Sequence, residues 1–323
     1  MINRRTVLLS GGALAALALG TGSAMAAGYP EKSIELLIPF SAGGGNDQVA
    51  RALAAELDGI LGQSVVPIQK TGAGGYVAAQ AVATAAPDGY TLGHQSLGTL
   101  MLGSLMKEQV LDPMTELRFV AQMALIQSAI AVRADSPYQT LDDLVAALKA
   151  APGDLAWGHT GRGGFHFVNG ASLLAATGTE ALDVPFKGSS NTVAALLGGE
   201  IDYAFLSTSN YLGFEDEMRI LAFAADQRDD LLPDVPTVAE AGIDMVTVAT
   251  PSVITVHKDT PDEIVTALQA AIREAVARPS YRERLNGMGI APVFADEAQI
   301  LAYLDRNLGP WKELVDAAAA TAG

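Results

Sequence analysis

The chain has 323 residues, no cysteine and a formal charge of −16, and half of it is hydrophobic. That length and apolar content can bury a full core, in one large domain or two lobes. The acidity excludes a phosphate-tracking surface, which needs clustered Lys and Arg. The missing thiols exclude disulfides, a cysteine nucleophile and a cysteine zinc cluster.

At the N-terminus, Arg4 and Arg5 precede an apolar run from about Val7 to Leu19, and Ala24-Met25-Ala26 follows. A charged start, a short apolar core and an A-x-A site predict a cleaved export signal over residues 1–26. The run is shorter than the roughly 20 apolar residues of a membrane span. A buried N-terminal helix is the other reading. The arginine pair in Asn3-Arg4-Arg5-Thr6-Val7-Leu8 is similar to a twin-arginine signal, with general secretion as the alternative route. With no cysteine to carry a lipid, the expectation is a free periplasmic protein.

Beyond the signal, apolar β-rich runs alternate with helical patterns. Ile34 to Phe40 reads as a buried parallel strand. Val49, Leu53, Leu57 and Ile60 recur at helical spacing, and Gly62 ends that helix. Strands are expected at Val65 to Ile68 and Tyr90 to Gly93, with a helix from Ala78 to Ala86 between them. Phe119 to Arg133 is long and β-like, as for a segment leaving one lobe and entering another. Thr140-Leu141-Asp142-Asp143 is a capping box. Strands follow at Leu155 to Gly158, Asp183 to Phe186, Tyr203 to Leu206 and Arg219 to Ala224, with helices between the first three. Val246 to Val256 reads as the return crossing. Thr260-Pro261-Asp262-Glu263 opens a late helix with proline at its first position, and a final helix from about Asp296 is interrupted at Pro310. The alternation predicts an α/β fold with mostly parallel sheets. The two crossings predict two lobes, residues 27–125 plus 250–323 and residues 126–249.

Two glycine-rich turns stand between a strand and a helix. The first is Pro39-Phe40-Ser41-Ala42-Gly43-Gly44-Gly45-Asn46-Asp47. Glycine lets a ligand approach the main chain, and the first N–H groups of a helix have no partner inside it. With the macrodipole, they hold a carboxylate without a lysine. A plain tight turn capped by Asn46 or Asp47 is the alternative. The second turn is His159-Thr160-Gly161-Arg162-Gly163-Gly164-Phe165-His166. Here Arg162 is placed to pair with a second carboxylate in bidentate fashion, or else is solvated, and His166 binds or simply packs. Lys187, in Val184-Pro185-Phe186-Lys187-Gly188-Ser189-Ser190, is either a ligand partner or a surface charge. Ser207, just past the Tyr203 to Leu206 strand, completes the candidate set. Gly72-Ala73-Gly74-Gly75-Tyr76 is half of a dinucleotide fingerprint, and Val77 stands where its last glycine belongs.

Enzyme signatures are missing. None of His94, His159, His166 and His257 lies in H-E-x-x-H, and no phosphate-binding G-x-x-x-x-G-K-[ST] occurs. Gly93-His94-Gln95-Ser96-Leu97-Gly98 has one residue too many for a nucleophile elbow.

An ordered set of motifs then carries a resemblance. Tyr29-Pro30 precedes the first strand and its turn; Ala73-Gly74-Gly75 and Ala86-Pro87-Asp88-Gly89-Tyr90-Thr91-Leu92 follow. After them come Val184-Pro185-Phe186-Lys187-Gly188, Gly198-Gly199-Glu200-Ile201-Asp202 and Asp234-Val235-Pro236-Thr237-Val238-Ala239-Glu240-Ala241-Gly242. From about Tyr29 to the last helix, the chain resembles the substrate-binding subunits of tripartite tricarboxylate transporters, also called Bordetella-uptake-gene receptors. The resemblance implies a two-lobed periplasmic binding protein, a clamshell that closes on a small carboxylate and delivers it to a two-component membrane permease. It also implies that the loops Phe40 to Asp47 and Thr160 to His166 grip the carboxylate through amides, hydroxyls and water.

Two departures from the family pattern lie near that pocket. Arg162 and Phe165 stand where small residues are usual, and Val248-Ala249-Thr250-Pro251-Ser252 lacks a common aromatic residue. The expectation is a monomeric, non-catalytic receptor with no cofactor, no metal and no nucleic-acid partner. The alternatives are a secreted α/β hydrolase and a receptor that feeds a sensor kinase.

Overall fold

The structure is a computed structural model that describes residues 28–40, 42, 45–106, 111–161 and 164–321. The expected export signal lies outside the described residues, as do Ser41, Gly43, Gly44, Arg162 and Gly163.

In chain order, β1 (Ile34–Ile38) leads into α1 (Gly45–Leu61) and β2 (Val65–Gln69). A 3-10 turn, Ala73–Gly75, opens α2 (Tyr76–Ala83), followed by β3 (Thr91–Ser96), α3 (Leu97–Leu105) and α4 (Pro113–Glu116). Then come β4 (Leu117–Ile126), β5 (Ser128–Arg133), α5 (Leu141–Ala150), β6 (Ala156–His159), α6 (Phe165–Thr177) and β7 (Leu182–Pro185). These are followed by α7 (Ser189–Leu197), β8 (Tyr203–Ser207), α8 (Thr208–Tyr211) and β9 (Met218–Ala224). The chain ends with β10 (Thr250–His257), α9 (Asp262–Ala277), α10 (Pro279–Asn286), β11 (Ala295–Asp296) and α11 (Glu297–Thr321).

Two sheets result, in the orders β11-β4-β10-β3-β1-β2 and β7-β6-β8-β5-β9. Helices flank both, so the fold is a two-lobed α/β architecture. The sheets are mixed, not mostly parallel. In the first, β1 pairs in parallel with β2 and β3, whereas β10 runs antiparallel to β3 and β4. In the second, β6 is parallel to β7 and β8, whereas β5 is antiparallel to β8 and β9. The cause is topological. The chain leaves the first sheet along β4 and comes back along β10, and strands of opposite travel placed side by side pair antiparallel.

The long β-like run breaks at Gln127, because β4 is laddered in one sheet and β5 in the other. The return is shorter than expected. A ladder begins only at Thr250, and Val248 before it is held by a side chain. Asn169 donates Nδ2–H to the Val248 carbonyl at 2.9 Å and accepts the Val248 N–H on Oδ1 at 2.8 Å. A buried backbone pair is thereby satisfied without a neighbouring strand.

Local signals explain several helix ends. Thr140 and Asp143 form the reciprocal capping box of α5, and Gly178 closes α6 in a left-handed conformation at φ 61°. Pro261 is the N-cap of α9, so Asp262 takes the first helical position instead. Pro310 lies inside α11 without ending it. Trp311 beside it is fully buried and donates its indole N–H to the Thr247 carbonyl at 2.9 Å. That anchorage outweighs the helix-breaking preference of proline.

The first core packs Ile34, Leu36 and Ile38 of β1 against Val49, Leu53 and Leu57 of α1 and Leu268 and Ile272 of α9. The second centres on Trp157, edge-on to Phe205 and stacked near Tyr203 and Phe167. A third joins Leu97 and Met101 of α3, Val168 of α6 and Trp311 of α11. It therefore packs elements attached to different sheets against each other.

Candidate functional site

The two glycine turns follow the C-terminal ends of β1 and β6, where ligands bind in open α/β sheets. In the first turn, Phe40 is half-buried and Ala42 exposed. Asn46 and Asp47 lie in the first turn of α1. Asp47 is buried at 2 % exposure. Its carboxylate takes the Nε–H of Arg51 at 2.9 and 3.0 Å and the Nε2–H of Gln69 at 2.8 Å. It thus ties α1 to β2 and carries its own counter-charge. The Asn46 Oδ1 is buried and has no hydrogen-bond partner among the described residues.

In the second turn, Gly161 has φ 118°, a conformation that side chains rarely adopt. Its N–H donates to Nδ1 of His159 at 3.2 Å. In the neutral ring the proton then sits on Nε2, which faces the Asp183 carboxylate at 3.4 Å. Gly164 is the N-cap of α6 and supplies no side-chain cap, and no acidic residue lies in the first turn. The turn that Phe165 and His166 begin therefore presents backbone N–H groups with no carboxylate of its own to meet them.

Beneath that helix end is a buried polar chain. His166 is 3 % exposed. Its Nδ1 lies 3.3 Å from the Thr160 hydroxyl and its Nε2 3.3 Å from the Ser207 hydroxyl. Burial, and next the neighbouring His159, push the His166 imidazole down to about 3, so it is neutral. A neutral ring between two rotatable hydroxyls can offer or accept a hydrogen bond at either end. The Phe165 ring covers it, with centroids 4.0 Å apart. Ser207 also caps α8, and Ser128 stands opposite Ser207 in the β5–β8 register, so the two hydroxyls share a face. Lys187 follows β7 at the same end of the sheet, with an exposed side chain.

The structure therefore brings Thr160, Phe165, His166 and Ser207 together, and leaves Asn46 and Asp47 at the matching position in the first sheet. Sequence reasoning missed several buried polar groups on other strands. His94, near the end of β3, has both ring nitrogens without a partner among the described residues. Burial lowers it to about 4, with the Asp47 charge pulling the other way. It lies two residues beyond Leu92, on the face that packs against α1. Ser252 stands opposite Ser96 in the β3–β10 register, which puts it on that face too. The hydroxyls of Ser128, Thr250 and Ser252 are likewise buried without described partners. The signal for them was a polar triplet, His94-Gln95-Ser96, closing a strand and the Gln127-Ser128 pair inside an apolar run.

Ser207 and His166 are a hydroxyl beside an imidazole, as in a nucleophile–base pair. The imidazole is too weak a base at about 3, and its far nitrogen meets a hydroxyl instead of an orienting carboxylate. The arrangement suits holding an anion through neutral donors. Among the described residues, no three His, Asp or Glu side chains converge as a metal site, and no helix is long and apolar enough to cross a membrane.

Comparison with known proteins gives the chain's family. The model of the tripartite tricarboxylate transporter family receptor matches residues 49–319. A Cupriavidus necator protein, the UPF0065 protein in the gbd 5' region, is 31% identical over 322 residues, 98% of each chain. Among solved structures, a TctC solute-binding protein from Polaromonas superposes with a TM-score of 0.81 at 29% identity, covering 90% of this chain and 99% of that one. MatC of Rhodopseudomonas palustris with bound malate gives 0.72 at 27% identity, covering 89% of this chain and all of the other. The chain belongs to the tripartite tricarboxylate transporter receptor family, a family of periplasmic solute-binding receptors.

Proposed function

We propose that the protein is exported through a signal at residues 1–26 of twin-arginine type, and works as a free periplasmic monomer. It takes up a small carboxylate between two lobes, residues 27–125 plus 250–323 and residues 126–249. It then delivers the ligand to a two-component membrane permease. The observation that carries this reading is the N-terminus of α6, which has no side-chain cap and no acid in its first turn among the described residues. Gly164 caps it without a side-chain acceptor, directly above a neutral histidine and two hydroxyls. A carboxylate oxygen there meets backbone N–H groups, the helix dipole and hydroxyl donors. The relative with bound malate supports the ligand class. On this reading the loop from Phe40 to Asp47, including Ser41, Gly43 and Gly44, closes on the ligand from the first lobe. Arg162 and Gly163 complete the grip from the second. Arg162 selects a ligand with a second anionic group.

Calorimetric titration with malate, succinate, adipate and citrate tests the proposal, beside mass spectrometry of ligand released from protein purified out of its native periplasm. One of these acids is expected to bind, and Ser207→Ala to weaken it. Binding of none of them, with a released ligand that carries no carboxylate, overturns the reading.

A further inference from the structure

A pocket of about 310 Å³ lies apart from the glycine turns, where the chain passes between the sheets. The turns follow β1 and β6, each next to the edge strand β2 or β7 of its sheet. The pocket is at the opposite edges. Its walls come from β4 and the β4–β5 junction, from the segment just after β9, from the return crossing at Thr247, Ala249 and Pro251, from Leu97 of α3, and from β11 with α11. Both sheets thus contribute to it, and its volume is at the lower end for metabolite sites.

Its polar groups are of two signs. Asp226 lines one part, with Oδ1 accepting the Thr247 hydroxyl at 3.2 Å. Arg306 lines another, one helical turn beyond Tyr303 on α11. Both charges act on the Tyr303 phenol, which burial, then Asp226, push up, while the Ala249 amide and Arg306 pull it down. Yet Asp226 and Arg306 form no ion pair with each other among the described residues. Gln127 adds an acceptor. It is 5 % exposed, and its Nε2 donates to the Gln227 carbonyl at 3.1 Å. Its Oε1 lacks a partner among the described residues. Leu125 and Phe294 supply apolar wall between these groups.

We propose that this pocket is a second ligand site, apart from the glycine turns and at the opposite edges of the sheets, that takes a zwitterion of amino-acid size. The ammonium group meets Asp226 and the unpartnered Gln127 oxygen. The carboxylate meets the Arg306 fork, which matches it in bidentate geometry. A short aliphatic part lies on Leu125 and Phe294. A simple anion leaves Asp226 facing it with the wrong charge, and a simple cation does the same to Arg306.

The test is titration calorimetry of the full mature chain with L-alanine, L-valine and L-leucine. Isovalerate and isobutylamine, which are valine without its ammonium and without its carboxylate, serve as half-molecules. Parent, Arg306→Ala and Asp226→Asn are compared; both side chains are exposed, and circular dichroism confirms the fold. At least one amino acid is expected to bind, valine more tightly than either half-molecule. Each variant should weaken it by roughly tenfold, the scale of one charge-assisted hydrogen bond. Malate titrated in parallel reads the cleft, so a failure there is distinguishable from a failure here. The proposal is overturned if no amino acid binds at millimolar concentration, or if both variants bind it as the parent does.

Discussion

His94 makes the protein's stability sensitive to mild acid in a way that one substitution can isolate. The ring is fully buried and lowered to about 4, and His166 is lowered to about 3, both chiefly by burial and both from an ordinary value of 6.5. Each folded value lies below the unfolded one. As pH falls through 6.5 the unfolded chain takes up a proton on each ring, and the folded chain does not until about 4 and about 3. The stability is fully present above the unfolded value and is lost as pH falls towards the folded ones. Integrated from pH 7 to pH 5, each ring removes about 2 kcal/mol, so the pair removes about 4 kcal/mol. Asp143 and Glu240, both held low by hydrogen bonds, act only below the ordinary carboxylate range and do not enter this window. His94→Leu keeps the volume, removes two unpartnered ring nitrogens and abolishes one titration. Urea unfolding of parent and variant at pH 7 and pH 5 gives the comparison. The variant should lose about 2 kcal/mol less than the parent between the two pH values. Equal losses in the two proteins would refute the claim that His94 is buried neutral.

Other substitutions read other parts of the argument. Asp47→Ala removes the acceptor of Arg51 and Gln69. It should lower stability by about 1.5–3 kcal/mol in thermal melts, with a smaller effect on ligand affinity. Asn169→Ala strands the buried Val248 N–H and carbonyl. It should cost about 2–4 kcal/mol in denaturant unfolding, whereas Asn169→Asp leaves the carbonyl alone unpaired and places a carboxylate in the core. Gly170→Ala puts a methyl carbon 2.1 Å from the Trp157 ring, and overpacking of that kind should cost about 1–3 kcal/mol, with loss of the tryptophan's near-ultraviolet dichroism. Arg162→Ala should weaken a dicarboxylate by about 1.5–3 kcal/mol and a matched monocarboxylate little, by calorimetry.

Much of the fold was legible because its signals are local. Helical spacing at Val49, Leu53 and Leu57, the capping box at Thr140 and glycine at position 178 each act within one or two turns of chain. The direction of strands was not legible, because β10 lies between β3 and β4 through contacts more than a hundred residues apart in the chain. Pro310 misled for the same reason. A local preference to break the helix gives way to Trp311, whose burial and bond to Thr247 are tertiary facts. The glycine turns around which the proposed site is built were legible, since conformation there is written in residue type. Thr160, His166 and Ser207 could be picked out beside or just past such turns and strands, but His94, Ser128, Thr250 and Ser252 come from β3, β5 and β10, and polarity on a buried strand looks the same in sequence wherever the strand points.

Among the described residues, the side chains brought together at the second glycine turn, Thr160, His166 and Ser207, are neutral, and desolvation accounts for that choice. A guanidinium sealed between two lobes has to be desolvated in the empty closed form, and an unpaired buried charge is costly. Asp47 shows the same economy in reverse, since its buried carboxylate already has Arg51 as a partner and asks nothing of a ligand. Neutral His166, the hydroxyls of Thr160 and Ser207, and the first N–H groups of α6, which no side chain caps, carry no such penalty. They can satisfy one another or water when no ligand is present, and turn to a carboxylate when one arrives. On the proposed function, binding through them is weaker per contact than through an ion pair, and the ligand is held by several partial interactions that separate together when the lobes part. On that same proposed function, a receptor that hands its cargo to a permease needs that balance. On this view Arg162 matters as a selector for a second anionic group, while the first carboxylate is held without it.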